Sequence, residues 1–143
     1  MLSLLGAPAL SPFRIEGLLR KVRETEPRIR GLASRFVHFV DAQEQLSEPQ
    51  LLLLNRLLSY GPSASAGHET GRHLTVTPRV GTISPWSSKA TDIAHVCGLS
   101  MVRRIERGVI YFVDAEGGLD ADALGRIAPL FHDRMTESVW LGH

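Results

Sequence analysis

The sequence predicts an α+β fold in which two similar βα-type halves share an antiparallel sheet, and three observations predict it. Strand-like and helix-like segments alternate as βαβα and then as βαβα again. A Ser/Ala/Gly-rich stretch, PSASAGHETGR at 62–72, separates the two runs, so the boundary between halves is expected there as a mobile loop. The 143 residues fit one domain that buries its own core, so both halves belong to a single unit over 1–143. No residue-level repeat relates them.

The first half opens with Met1 to Leu5, a short apolar run that reads as an edge strand broken by Gly6 and Pro8. Ser11 as N-cap, Pro12 at the first helical position, and Leu10 spaced from Ile15 as a hydrophobic staple then start a helix. Its Ile15, Leu18, Leu19 and Val22 fall on one face, and Pro27 marks its end. From Arg28 to Val40 the β-branched and aromatic residues read as a strand with an irregularity at Gly31. Ser47 and Gln50 have capping-box spacing before a stripe of leucines at 51, 54, 57 and 58, which Gly61 and Pro62 stop.

In the second half, His73 to Thr77 reads as a short strand, and Pro78 with Gly81 turns the chain into a polar loop. A third helix, entered near Ser84 and Pro85, carries Ala90, Ile93, Ala94 and Cys97 on one side, with Gly98 closing it. Cys97 is expected as a buried small hydrophobe. Val102 to Asp114, with its VIYFV run, is the clearest strand and is expected to be covered on both faces or nearly so. The last helix is expected from Asp120, with Pro129 kinking or splitting it.

Composition narrows the function classes. Sixteen Lys and Arg against 15 Asp and Glu leave a net charge of +1, with none of the clustered excess that drives nucleic-acid binding. The single Cys excludes an internal disulfide. Neither a secretory leader nor a membrane span is suggested, so a cytoplasmic location without membrane or nucleic-acid partners is the expectation. The six histidines show no ligand spacing, and no metal site is expected. His132 and Asp133 are neighbours in sequence, which does not make them a dyad.

The segment Thr77 to Asp92, TPRVGTISPWSSKATD, has far more hydrogen-bonding capacity than a surface connection needs. Thr77, Arg79, Thr82, Ser84, Trp86, Ser87, Ser88, Lys89 and Asp92 are the candidate site residues. Free N–H groups, hydroxyls and Lys89 at a helix start attract anions, so one reading is a phosphate or carboxylate contact. The other is that the hydroxyls cap the helix while Trp86 packs locally. Arg103, Arg104 and Arg107 surround Glu106 without an aromatic platform, so they read as ion-pairing or interdomain charges rather than readers of bases.

The runs TPRVGTISPWSSKATDIAHVCGL, VRRIERGVIYFV and LFHDRMTESV, with GAPALSPFRIEGLL, FVHFVDA and LLSYGP, closely resemble the N-terminal domain of the large single-chain phosphoribosylformylglycinamidine synthases. The resemblance spans essentially the whole chain. It implies a fold similar to a pair of the small S subunits of the split enzyme. It also implies a purine-synthesis ligase that uses ATP, Mg²⁺ and glutamine, with synthetase and glutaminase domains as partners of this one. ATP, Mg²⁺ and the glutaminase nucleophile belong to those other domains, so Cys97 is not that nucleophile. No cofactor and no catalysis are expected of these residues alone.

Three functions are therefore open. The first is a structural and docking domain whose 77–92 segment faces the synthetase with Trp86 as buried anchor. The second is direct contact between that loop and the substrate's phosphate. The third is a free-standing regulatory, ligand-binding module.

Overall fold

The computed structural model describes residues 2–59, 72–79 and 81–141. In chain order the elements are β1 (Leu2–Leu5), α1 (Pro12–Thr25), β2 (Ile29–Ala42), α2 (Glu48–Leu57), β3 (Arg72–Pro78), α3 (Pro85–Val96), β4 (Val102–Ala115), α4 (Ala121–Ile127) and β5 (Glu137–Leu141). The strands form one antiparallel sheet in the order β1-β2-β4-β3-β5. The expected α+β class is what the chain adopts. β2 and β4 lie side by side at the centre with β1 and β3 outside them, so the βαβα run of each half occupies an equivalent place. The stretch 62–72 lies outside the described residues up to position 71.

Local chemistry explains where the helices start. The Ser11 hydroxyl accepts from the Arg14 N–H at the head of α1, and Leu10 and Ile15 both pack on the core beneath. At α2, Ser47 Oγ accepts from the Gln50 N–H while Gln50 Oε1 accepts from the Ser47 N–H, a complete capping box. Asp120 caps α4 through the Ala123 N–H at 2.8 Å. Pro129 follows the end of α4, and the chain tightens there into a 3₁₀ turn over Ala128–Leu130. Gly98 closes α3 with φ of +93°, a left-handed conformation open to glycine at little steric expense.

Register fixes which side chains share a face. Val40, His38, Phe36, Ser34 and Leu32 of β2 stand opposite Ile105, Arg107, Val109, Tyr111 and Val113 of β4, and these point to the helix-covered side. A bulge between Ile29 and Gly31 keeps Ile29 on that side, at the irregularity expected near Gly31. The core divides into two clusters there. One gathers α1, α4 and the centre of the sheet around Ile29, Leu74, Tyr111, Leu124 and Ile127; the other gathers α2 and α3 around Val40, Leu54, Ala94, Val102 and Ile105.

The opposite face carries Ala33, Arg35, Val37, Phe39, Ile110 and Phe112, none of which joins either cluster. β4 was expected to be covered on both faces or nearly so; Ile110 and Phe112 are half-buried, since every described helix lies on the other side. One expectation needs correction and one strand was not foreseen. Cys97 is exposed, and Ile93 is 48% exposed, because α3 turns Ser87 and Ala94 to the sheet. β5 was not anticipated: Thr75 and Thr77 of β3 pair with Trp140 and Ser138, which extends the sheet by a strand. No helix among the described residues is long and apolar enough to cross a membrane.

Candidate functional site

Thr77, the last residue but one of β3, lies on the helix-free face, where its Oγ1 accepts a hydrogen bond from Trp140 Nε1 at 3.0 Å. The chain then turns. Thr82 Oγ1 donates to the Arg79 carbonyl at 2.6 Å, and the Thr82 N–H donates to the same oxygen, closing the loop on itself. Arg79 is exposed and reaches the Met135 carbonyl at 3.4 Å, while its backbone N–H donates to Thr136.

Ser84 is the N-cap of α3. Its Oγ accepts from the Ser87 N–H at 3.0 Å and donates to Glu106 Oε1 at 2.9 Å, so one hydroxyl joins helix start to sheet. Ser87 is fully buried, and its hydroxyl donates to the Ile105 carbonyl at 2.5 Å. One turn on, Thr91 donates to the Ser87 carbonyl and accepts from the Ile105 N–H. Two hydroxyls thus satisfy both backbone groups of Ile105 at a place where β3 no longer pairs with β4.

Glu106 collects the remaining donors: the Arg104 guanidinium at 2.8 Å, the Arg107 N–H at 2.9 Å and Ser84. Burial pushes its carboxyl upward, but these hydrogen bonds outweigh burial and hold it below the usual carboxylate range. Arg104 also donates to the Thr82 carbonyl at 3.0 Å, which ties the loop to β4.

Arg107 lies on the helix side, its guanidinium 4.6 Å from the Trp86 ring centroid and 4.5 Å from that of Phe36. His38, fully buried beside Trp86 with ring centroids 5.7 Å apart, donates from Nδ1 to the Leu4 carbonyl of β1. Burial lowers the His38 pKa, and the nearby Arg107 cation adds to this against the Leu4 hydrogen bond.

Seven of the expected site residues line two adjoining depressions. Thr77, Arg79, Thr82 and Arg104 line a shallow depression of about 280 Å³ with Phe39 and Glu106. Ser84, Trp86 and Arg107 line a neighbouring one of about 230 Å³ with Phe36 and Glu137, and Thr77 and Glu106 border both. Ser88, Lys89 and Asp92 face solvent on α3, away from these hydroxyls, and Arg103 is exposed on β4. Glu106, His38, Phe36 and Trp140 were missing from the expected set. Glu106 was visible among the arginines, whereas the other three come from strands whose neighbours only the topology reveals. Among the described residues no group of three His, Cys, Asp or Glu side chains converges as a metal site.

These features define a class: an α+β domain with a single antiparallel sheet, helices on one face, and a hydroxyl-rich helix entry fastened to the central strand. The family follows from comparison. The family model described as formylglycinamide ribonucleotide amidotransferase N-terminal matches residues 35–142, from within β2 to just past β5, and the chain belongs to that family of purine-pathway amidotransferases.

Proposed function

We propose that this chain is a structural and docking domain of a cytoplasmic formylglycinamide ribonucleotide amidotransferase. That ligase converts the formylglycinamide ribonucleotide to its amidine with ATP, Mg²⁺ and glutamine. The chain performs no chemistry alone; it holds the synthetase and glutaminase domains in register so that ammonia passes between them without protonation or loss to water.

The observation that carries this reading is the way the 77–92 segment uses its polar groups. Ser84, Ser87 and Thr91 spend their hydroxyls on backbone and on Glu106, so the segment is a braced surface. Pre-ordered surfaces lose little entropy when a neighbour covers them. Thr82, Ile83, Ser88 and Lys89 remain exposed on it as contact groups.

The second reading, contact with the substrate's phosphate, draws on exposed Arg79 and Lys89 near the helix entry. Against it stands Glu106, an ionised carboxylate engaging Arg104 where an anion would have to sit. A titration of the isolated chain with formylglycinamide ribonucleotide decides between them. Saturable binding abolished by Lys89→Ala establishes phosphate contact. Absence of binding, with glutamine-dependent activity recovered when the chain is added to the remaining domains, establishes docking. Neither result would leave the regulatory module as the surviving reading.

A further inference from the structure

Two surfaces of this domain differ in kind. Outer positions of the helices carry charges of both signs, among them Arg20, Lys21 and Glu24 on α1 and Lys89 and Asp92 on α3. The helix-free sheet face is mostly apolar at its centre, where Val37, Phe39, Ile110, Phe112 and Thr75 lie together around Gly108, and Arg35, opposite Ile110 on the same face, donates to the Gly6 carbonyl at 2.8 Å. Ion pairs stand at its two ends, Arg30 with Asp114 at 3.2 Å and Arg104 with Glu106 at 2.8 Å. An apolar centre with few charges inside a polar rim is the anatomy of a contact surface.

We infer that this helix-free face is the seat for a mostly apolar surface of the remaining amidotransferase domains, an intramolecular contact made within one enzyme. The inference rests on the docking reading and adds to it which face is used and what chemistry meets it. The 77–92 loop then forms one margin of the contact, because Thr77 and Trp140 hydrogen-bond across the same face.

Area decides between this occupant and a second copy of the chain. Four strands about 4.8 Å apart, over about 20 Å of their length, give a patch of about 400 Å². Two copies stacked on it would bury roughly 800 Å² in total, below the approximately 1,200 Å² at which stable independent complexes begin. Contacts between domains of one protein are sustained at about 600–1,500 Å², because the chain connection supplies the second encounter at high effective concentration.

Cysteine footprinting tests the inference with a single substitution that keeps the side chain close in size. Cys97 is the native exposed thiol on the helix side, and Thr75→Cys places a second on the sheet face. Alkylation rates of both are measured on the 143-residue chain alone and with the remaining domains present. At least a tenfold slowing at position 75 with Cys97 unchanged is the expected result. Slowing at Cys97 alone, or equal rates at both while glutamine-dependent activity is recovered, overturns the choice of face and leaves docking intact.

Slowing at position 75 in the chain alone, accompanied by a dimer in sedimentation, assigns the face to self-association and overturns the occupant. No recovered activity and no protection anywhere defeats the docking reading itself. A second variant pair guards against an effect of the new thiol: Ile110→Glu is expected to weaken complementation at least tenfold, and Val96→Glu, on an exposed helix position, to leave it unchanged. If Ile110→Glu is unfolded by circular dichroism, the footprint alone decides.

Discussion

Arg107 lies with its guanidinium 4.6 Å from the centroid of the Trp86 ring, so the tryptophan expected to serve a neighbouring domain is engaged within its own fold. Phe36 shares the same cation at 4.5 Å. The contact joins the first turn of α3 to the central strand β4, and it makes Trp86 a brace for the 77–92 segment.

Removing that brace should be felt in stability. Trp86→Ala is expected to lower the unfolding free energy by about 2–3 kcal/mol, less than for a fully buried tryptophan because the ring is half-exposed. Arg107→Ala, which takes away the cation but leaves both rings, is expected to cost about 1 kcal/mol. Urea denaturation of both variants checks the order, and equal stability to the parent would refute the bracing role.

Ser87→Ala should cost about 1–2 kcal/mol, since a fully buried hydroxyl disappears and the Ile105 carbonyl loses its donor. Ser84→Ala is expected to lose about 1 kcal/mol as the cap of α3 is removed. Thermal melts at matched pH measure each.

Gly108 stands in the middle of a strand for a steric reason. A Cβ there would lie 2.7 Å from the Val76 carbonyl oxygen and 3.1 Å from Thr77 Cγ2, and the nearer atom is backbone that cannot swing aside. Gly108→Ala is therefore expected to destabilise by about 1–3 kcal/mol despite alanine's better fit to a strand. Chemical denaturation showing a gain in stability would contradict the close approach of β3 to β4.

His38 sets the response to acid. Its folded pKa lies below the ordinary 6.5, so the unfolded chain binds a proton first as the pH falls, and each step down then favours unfolding. Stability is expected to be level with respect to His38 above about pH 7 and to decline as pH falls through 6.5 toward the lower folded value. Urea midpoints measured between pH 7.5 and pH 5 for the parent and His38→Gln test this, with a shallower decline expected in the variant.

Much of this fold was legible because its signals are local. Ser11, Ser47 with Gln50, Ser84 and Asp120 each announce a helix start through their own hydrogen bonds, and Pro129 and Gly98 announce the ends. What escaped was decided by distant partners. Whether Cys97 or Ser87 faced the sheet depended on the roll of α3, and hydrophobicity alone favoured Cys97. The sheet chose Ser87 because its hydroxyl meets a strand carbonyl left without a β3 partner. β5 escaped because five residues with a single tryptophan carry a weak period-two signal, and its pairing with β3 is a long-range contact.

The candidate site divides the same way. Its hydroxyl-rich entry was visible in sequence, but the destination of each hydroxyl was not, since Glu106 and Ile105 lie on β4 about one strand away. The helix-free face was invisible, because alternating apolar residues along β2 and β4 do not say which side the helices take.

Association with the rest of the enzyme is the most direct test of the docking account. The 143-residue chain, mixed with the separately expressed remaining domains of a family amidotransferase, should co-sediment as a one-to-one complex that turns over glutamine-dependently. Independent sedimentation of the two at tens of micromolar, with no activity recovered, would contradict it.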